Sequence, residues 1–245
     1  MSHSSKQDAI YSQPREAITD FVFDESVVQV FQDMIGRSVP GYSTLLSMIP
    51  VLVRQNVQQN SRCYDLGCSL GAATLAMRHS INQSGVKIIA VDNSPAMAEK
   101  CREYIEKDSS DIPVEILCDD INNIEIEQAS IVVMNFTLQF FEKENRSDLI
   151  NKIFNGLNKG GALLLSEKIE LENKQDQQWI TSLHHEFKKA NGYSELEISQ
   201  KRTALEDVLI PETIKQHKER LKKAGFEKTI VWFQCFNFIS ILAIK

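Results

Sequence analysis

Cys63-Tyr-Asp-Leu-Gly-Cys-Ser-Leu-Gly-Ala-Ala-Thr-Leu75 decides how the rest of the chain is read. A short apolar run reaches Asp65, glycines follow at Gly67 and Gly71, and a helix-compatible pattern begins at once. That succession predicts a strand, a tight turn and the start of a helix. Glycine permits the turn and lets a ligand approach the main chain, while a helix start offers N–H groups to a polar or anionic ligand. The dinucleotide-binding fingerprint is not met, because Ser69 stands at its middle glycine position.

Outward from this turn, strands and helices alternate. Residues 86–91 predict a buried strand that ends in Asp92-Asn93-Ser94-Pro95, with Ser94 and Pro95 opening a helix. Residues 114–118 predict a third strand before Asp119-Asp120-Ile121, and residues 131–134 a fourth before Asn135. A helix over 149–157 and a fifth strand over 162–165 follow. Short, continuously apolar strands separated by helices imply an α/β fold with a mostly parallel sheet covered on both faces. Asp65, Asp92, Asp120 and Asn135 then fall at or just past the carboxyl ends of successive strands, the edge where open α/β sheets bind ligands. Any one of them could be a helix cap; four together point to a ligand site. Asp92, 25 residues beyond Gly67, has the spacing of an acid that accepts hydrogen bonds from ribose hydroxyls.

The bounds set by composition agree. With 245 residues, 42% of them hydrophobic, the chain is long enough for one substantial α/β unit with attached helices. A net charge of −6 argues against a large nucleic-acid surface. The five cysteines (63, 68, 101, 118 and 235) form no Cys-x-x-Cys pair, which predicts reduced thiols in a cytoplasmic protein. No run approaches membrane-spanning length and the first residues lack a signal-peptide core, so no membrane partner is expected. His184 and His185 are adjacent, face different sides of a helix and lack a third ligand, so no metal site is expected.

The segments flanking the alternation carry less pattern. Residues 1–20 predict a loose lead, with the remainder, 21–245, forming one domain. Helices are expected over 21–34 and 43–57, the second containing Pro50, and Tyr42 lies on the glycine-rich loop between them, where an aromatic ring could cover a ligand. Residues 167–211 interrupt the alternation as an inserted helical cap near the ligand edge. Within it Lys188, Lys189, Lys201 and Arg202 form a candidate anion-binding cluster. A solvated helix face suits Lys188 and Lys189 better than Arg202, which has apolar Ile198 and Leu205 nearby. Helix 212–224 reads as a solvated surface, and residues 229–233 and 236–243 predict a closing hairpin whose last strand is antiparallel.

Asp65-Leu-Gly67, continued to Gly71, resembles the first motif of class I S-adenosylmethionine (SAM)-dependent methyltransferases, an acid followed by x-Gly-x-x-x-Gly. A carboxylate there suits a cationic, ammonium-bearing ligand better than a diphosphate. More specifically, the opening motif, residues 90–97 and 134–140, Ser38-Val-Pro-Gly-Tyr42, residues 184–202 and the aromatic strand 232–238 are similar to the carboxy-S-adenosylmethionine synthase family. The resemblance covers the chain from Phe21 onward. It implies a class I methyltransferase-like, Rossmann-type fold and conversion of SAM and prephenate into carboxy-SAM and phenylpyruvate. It also implies a homodimer, and a downstream transfer-RNA uridine carboxymethyltransferase that uses the product at the wobble position, with no direct nucleic-acid contact by this chain. Residue by residue, it implies SAM contacts at Tyr42, Gly67, Cys68, Ser69, Asp92, Asn93, Asp120, Ile121 and Asn135, with Arg202 holding the new carboxylate from its own subunit or a neighbour's. A methyl on a sulfonium is acidified by the cation, so its carbanion can capture carbon dioxide as prephenate decarboxylates. The alternatives are a conventional SAM-dependent methyltransferase and a SAM-binding protein without turnover.

Overall fold

In the computed structural model, which describes residues 6–245, two helices, α1 (Glu25–Ser38) and α2 (Tyr42–Asn56), precede β1 (Arg62–Leu66). Then follow α3 (Ala72–Arg78), β2 (Lys87–Asp92), α4 (Pro95–Lys107), β3 (Val114–Cys118), β4 (Ala129–Asn135), α5 (Lys143–Gly156) and β5 (Leu157–Lys168). The chain closes with α6 (Lys174–Ala190), α7 (Glu195–Leu205), α8 (Ile214–Ala224), β6 (Lys228–Cys235) and β7 (Phe238–Ile244). Single helical turns at Ile121–Asn123 and Leu138–Phe140 follow β3 and β4.

The strands form one sheet in the order β3-β2-β1-β4-β5-β7-β6. β1 to β5 pair in parallel, and β7 runs antiparallel to both neighbours, as the closing hairpin predicts. Every residue of β4 up to Met134 is buried, which is what a strand covered on both faces requires. One apolar core lies under α5 and α8 and includes Tyr64, Met134, Leu149 and Leu221; the other lies under α2 and α3 and includes Leu45, Ile49, Met77 and Ile131. Strand order reverses direction at β1, which sits between β2 and β4, so a crevice opens at the carboxyl ends of β1 and β4.

Helix boundaries moved where capping outweighed periodicity. Phe21 and Phe23 precede α1, because Asp24 caps it by accepting from the N–H groups of Ser26 and Val27. α1 continues through Gly36, and Tyr42 is the first residue of α2 and not part of a loop. Pro50 is accommodated within α2, which stays one helix. At α4, Ser94 accepts from the Met97 N–H and donates to the Phe23 carbonyl, so one hydroxyl both starts the helix and ties it to the entry segment.

Polarity predicts a loose lead before α1, yet Asp8 and Tyr11 are buried. The Tyr193 hydroxyl donates to Asp8 Oδ2 at 2.5 Å, and the Arg37 guanidinium donates to the Asp8 carbonyl at 2.7 Å. The partners lie 185 and 29 residues away, out of reach of any local pattern.

Candidate active site

β1 delivers the chain into a turn with three left-handed residues, Gly67 (φ 80°), Ser69 (φ 49°) and Gly71 (φ 82°). A Cβ on Gly67 would collide with the Thr137 side chain, and one on Gly71 would come within 2.6 Å of Cys101 Sγ, so close approach as well as torsion demands glycine. The N–H groups that open the turn are already used. Gly67 and Cys68 donate to the Val91 carbonyl at 2.8 and 2.9 Å, and Ser69 donates to Asp92 Oδ2 at 2.8 Å. Those three N–H groups are therefore spent on β2, while the first N–H groups of α3, on Ala72 and Ala73 beside the first cavity, have no acceptor among the described residues. What the turn offers a ligand is close backbone approach and the carboxylates around it.

Those carboxylates differ. Asp92 is organised by backbone: besides Ser69, the Ser94 N–H donates to its Oδ1 at 2.9 Å. Asp65 is fully buried; Oδ2 accepts from Thr74 Oγ1 at 2.5 Å while Oδ1 has no partner. Burial is the main cause that raises the Asp65 carboxyl to about 6. Asn135 Oδ1, at the end of β4, is likewise buried without a partner. Two orphaned acceptors across a crevice suit a donor that arrives with the ligand, such as an ammonium group.

Two cavities meet there. One, of about 490 Å³, is lined by Tyr42, Asp65, Gly67, Cys68, Ser69 and Asn135, with Phe31 and Ile35 from α1. The other, of about 520 Å³, is lined by Gly67, Ser69, Asp92, Asn93, Asp120, Ile121 and Asn135. Gly67, Ser69 and Asn135 line both. The fold thus brings together Tyr42, Gly67, Cys68, Ser69, Asp92, Asn93, Asp120, Ile121 and Asn135. Tyr42 lies against Phe136, with ring centroids 6.4 Å apart, and burial and the Asp65 charge raise its phenol. Asp120 accepts from the Asn122 N–H at 2.7 Å, so it also starts the helical turn that carries Ile121.

Arg202 is different: it is exposed on α7 and lines neither cavity of its own chain. Its neighbour Lys201 is buried and lines the second cavity, with its ammonium 3.3 Å from Ser38 Oγ and 3.6 Å from Asp8 Oδ2. The solvated face expected for Lys188 and Lys189 holds only for Lys189, which pairs with Glu186 and Glu195. Lys188 is half-buried and turns into the cavity, as do Lys168 and His184. His184 and Lys188 are one helical turn apart and share a face, a spacing that sequence alone could have flagged. Lys168 ends an apolar strand and has no such signal. Burial, foremost, and the Lys188 charge lower His184 to about 3, so it is a neutral ring whose Nε2–H donates to the Ser38 carbonyl at 2.8 Å. Tyr193 is occupied by Asp8 and stacked under Arg37, whose guanidinium carbon lies 4.0 Å from the ring centroid. Among the described residues no group of three or more His, Cys, Asp or Glu could hold a metal ion, and no helix is long and apolar enough to cross a membrane.

Residues 64–161 match a methyltransferase domain family. A carboxy-S-adenosyl-L-methionine synthase from Cronobacter sakazakii is 56% identical over 98% of this chain and 98% of its own length. A protein of the same name from Vibrio parahaemolyticus is 56% identical over 100% of both chains. Among solved structures, a cyclopropane synthase from Mycobacterium tuberculosis is similar with a TM-score of 0.57 at 17% identity, over 77% of this chain and 62% of that one. That likeness speaks to the fold, a class I methyltransferase-like sheet.

Proposed function

Because the chain belongs to the carboxy-S-adenosyl-L-methionine synthase family, an assignment carried by identity over its whole length, we propose a role for each end of its cavity and a donor for its reaction. The chain is a transferase that acts on SAM and forms carboxy-SAM. The observation that carries the assignment of SAM to this site is the pair of buried, unpartnered oxygens, Asp65 Oδ1 and Asn135 Oδ1, at the crevice. The ammonium of the methionine tail is the donor they lack. Asp92, held by two backbone N–H groups and with lone pairs to spare, accepts from the ribose hydroxyls, and Asp120 and Ile121 border the base. Tyr42 and Phe136 cover the middle of the ligand.

The carboxyl donor is prephenate, which leaves as phenylpyruvate. Its ring loses one carboxyl group as carbon dioxide and its hydroxyl as hydroxide; the SAM methyl gives a proton to that hydroxide, and the electron pair left on carbon bonds the carbon dioxide. The product is consumed in the cytoplasm by an enzyme that modifies the wobble uridine of transfer RNA. Arg202, exposed and without an ion pair among the described residues, would meet the new carboxylate of a neighbouring subunit in a homodimer, where its planar fork matches two oxygens.

Mass spectrometry tests this reading. Protein incubated with SAM and prephenate should yield carboxy-SAM and phenylpyruvate in equal amounts. Formation of S-adenosylhomocysteine with a methyl acceptor, and no carboxy-SAM with prephenate, would show a conventional methyltransferase instead.

A further inference from the structure

The second cavity is electrically polarised. Asp92 and Asp120 line it at the strand ends, whereas Lys168, Lys188 and Lys201 line it beneath the inserted cap. Lys168 closes β5, Lys188 lies in the last turn of α6 and Lys201 sits on α7, so three elements bring ammonium groups to one place. They are close enough to feel one another. Burial comes first and the charges of Lys168, Lys201 and Arg202 follow in lowering Lys188 to about 7. Lys201 is compensated by Asp8. The ammonium groups of Lys168 and Lys188 have neither a carboxylate partner nor a hydrogen-bond acceptor among the described residues.

An ammonium group drawn out of bulk water without a partner costs free energy, and two neighbours of the same sign cost more. A fold that pairs its buried cations, Arg146 with Glu212 and Lys201 with Asp8, leaves these two half-buried ones facing a cavity. The missing partner is an anion from outside. Beside them the wall is aromatic: Phe238 lies edge-on to His184 at 5.0 Å and to Phe136 at 5.9 Å, and all three line the same cavity. A cationic corner next to an apolar wall matches a small carbocycle bearing carboxylates.

We propose that Lys168 and Lys188 hold the 2-oxo-carboxylate of the carboxyl donor, with its ring laid against Phe136 and Phe238. This rests on the reading of the donor as prephenate. The donor's two carboxylates have different fates, and this selects between them. The ring carboxylate departs as carbon dioxide and sheds its charge, so a cation bound to it would favour the ground state over the transition state. The 2-oxo-carboxylate stays anionic from substrate to product, and a cation on it positions the molecule without opposing the reaction. Leaving the ring carboxylate on the apolar side assists its loss.

Lys168→Met and Lys188→Met test the assignment, since methionine keeps the apolar stem and removes the charge. With saturating SAM, each should raise the KM for prephenate at least tenfold, about 1.4 kcal/mol, and Lys188→Arg should recover part of the loss. Phenylpyruvate keeps the 2-oxo-carboxylate but lacks the ring carboxylate, so its inhibition constant should rise by the same factor. The dissociation constant for SAM by calorimetry should stay within threefold of the parent's, and melting temperatures should not fall, because unpaired, half-buried charges are being removed. An unchanged KM in variants of an active parent would overturn the lysine assignment alone. A tenfold loss of SAM affinity with KM unchanged would place the methionine tail on the lysines and overturn it too. A raised KM with unchanged phenylpyruvate inhibition would put them on the ring carboxylate, against the orientation argued here. A parent protein that makes no carboxy-SAM from prephenate would sink the donor reading, and this assignment with it.

Discussion

The strand-end side of the active-site cavity and its cap side are held in place by different means. At the strand ends, two of the acids are oriented by backbone N–H groups, Asp92 by Ser94 two residues on and by Ser69 in the adjacent turn, Asp120 by Asn122, and Asp65 is held by the Thr74 hydroxyl nine residues on. On the cap side, the bonds that seat the helices join residues 146, 163 and 185 apart, His184 to Ser38, Lys201 to Ser38 and Tyr193 to Asp8. The strand-end groups are ordered by forming the sheet itself. The cap groups are ordered only when α1, α6, α7 and the entry segment dock. A substitution at the strand ends should therefore act on the ligand, and one under the cap on docking or on the second substrate.

The largest effect is expected where the two regions are tied together. Arg146 on α5 is fully buried; it donates to the carbonyls of Gln139 and Phe141 beside the strand ends, to the Ile210 carbonyl at the end of the cap, and to Glu212 at 2.6 Å. Arg146→Ala leaves several buried acceptors unpaired and should cost about 3–5 kcal/mol of stability by urea unfolding. A loss below 1 kcal/mol would mean that cap and sheet do not depend on this tie.

Asp65 gives the next effect, and it depends on pH. Its folded value of about 6 lies above the ordinary carboxylate value of about 3.9. The folded state therefore binds the proton more tightly, a stabilisation fully present below about pH 4 and lost as pH rises through 6. The two-unit difference corresponds to at most about 3 kcal/mol in the ligand-free protein. Asp65→Asn should flatten unfolding stability between pH 4 and 7 while weakening SAM binding; an unaltered pH profile would show that burial does not set this carboxyl.

Asp92→Ala is smaller in free energy and confined to the strand ends. It removes the acceptor proposed for ribose and frees the Ser69 and Ser94 N–H groups, so SAM affinity should fall roughly ten- to a hundredfold, about 1.4–2.7 kcal/mol. The cap should not notice: the melting profile should remain a single transition. Calorimetric titration with undiminished affinity would take Asp92 out of the ligand site and erase the contrast between the two sides.

What the sequence alone determined is what depends on neighbours in the chain. Apolar runs set the strands, Gly67 and Gly71 set the turn, and right-handed crossovers then brought Asp65, Asp92, Asp120 and Asn135 to one edge. Tertiary structure decided which way the cap residues face. Lys201 and Arg202 are adjacent and chemically alike, yet one is buried against Ser38 and Asp8 and the other is exposed, because successive helical residues point about 100° apart. α7 has no clear apolar stripe to fix that rotation, so docking on α1 and on the entry segment fixes it. Lys188 and Lys168 turn inward for the same reason: their surroundings are assembled from elements distant in sequence, and a charge pattern cannot tell a solvated helix face from one turned toward a cavity that exists only after folding.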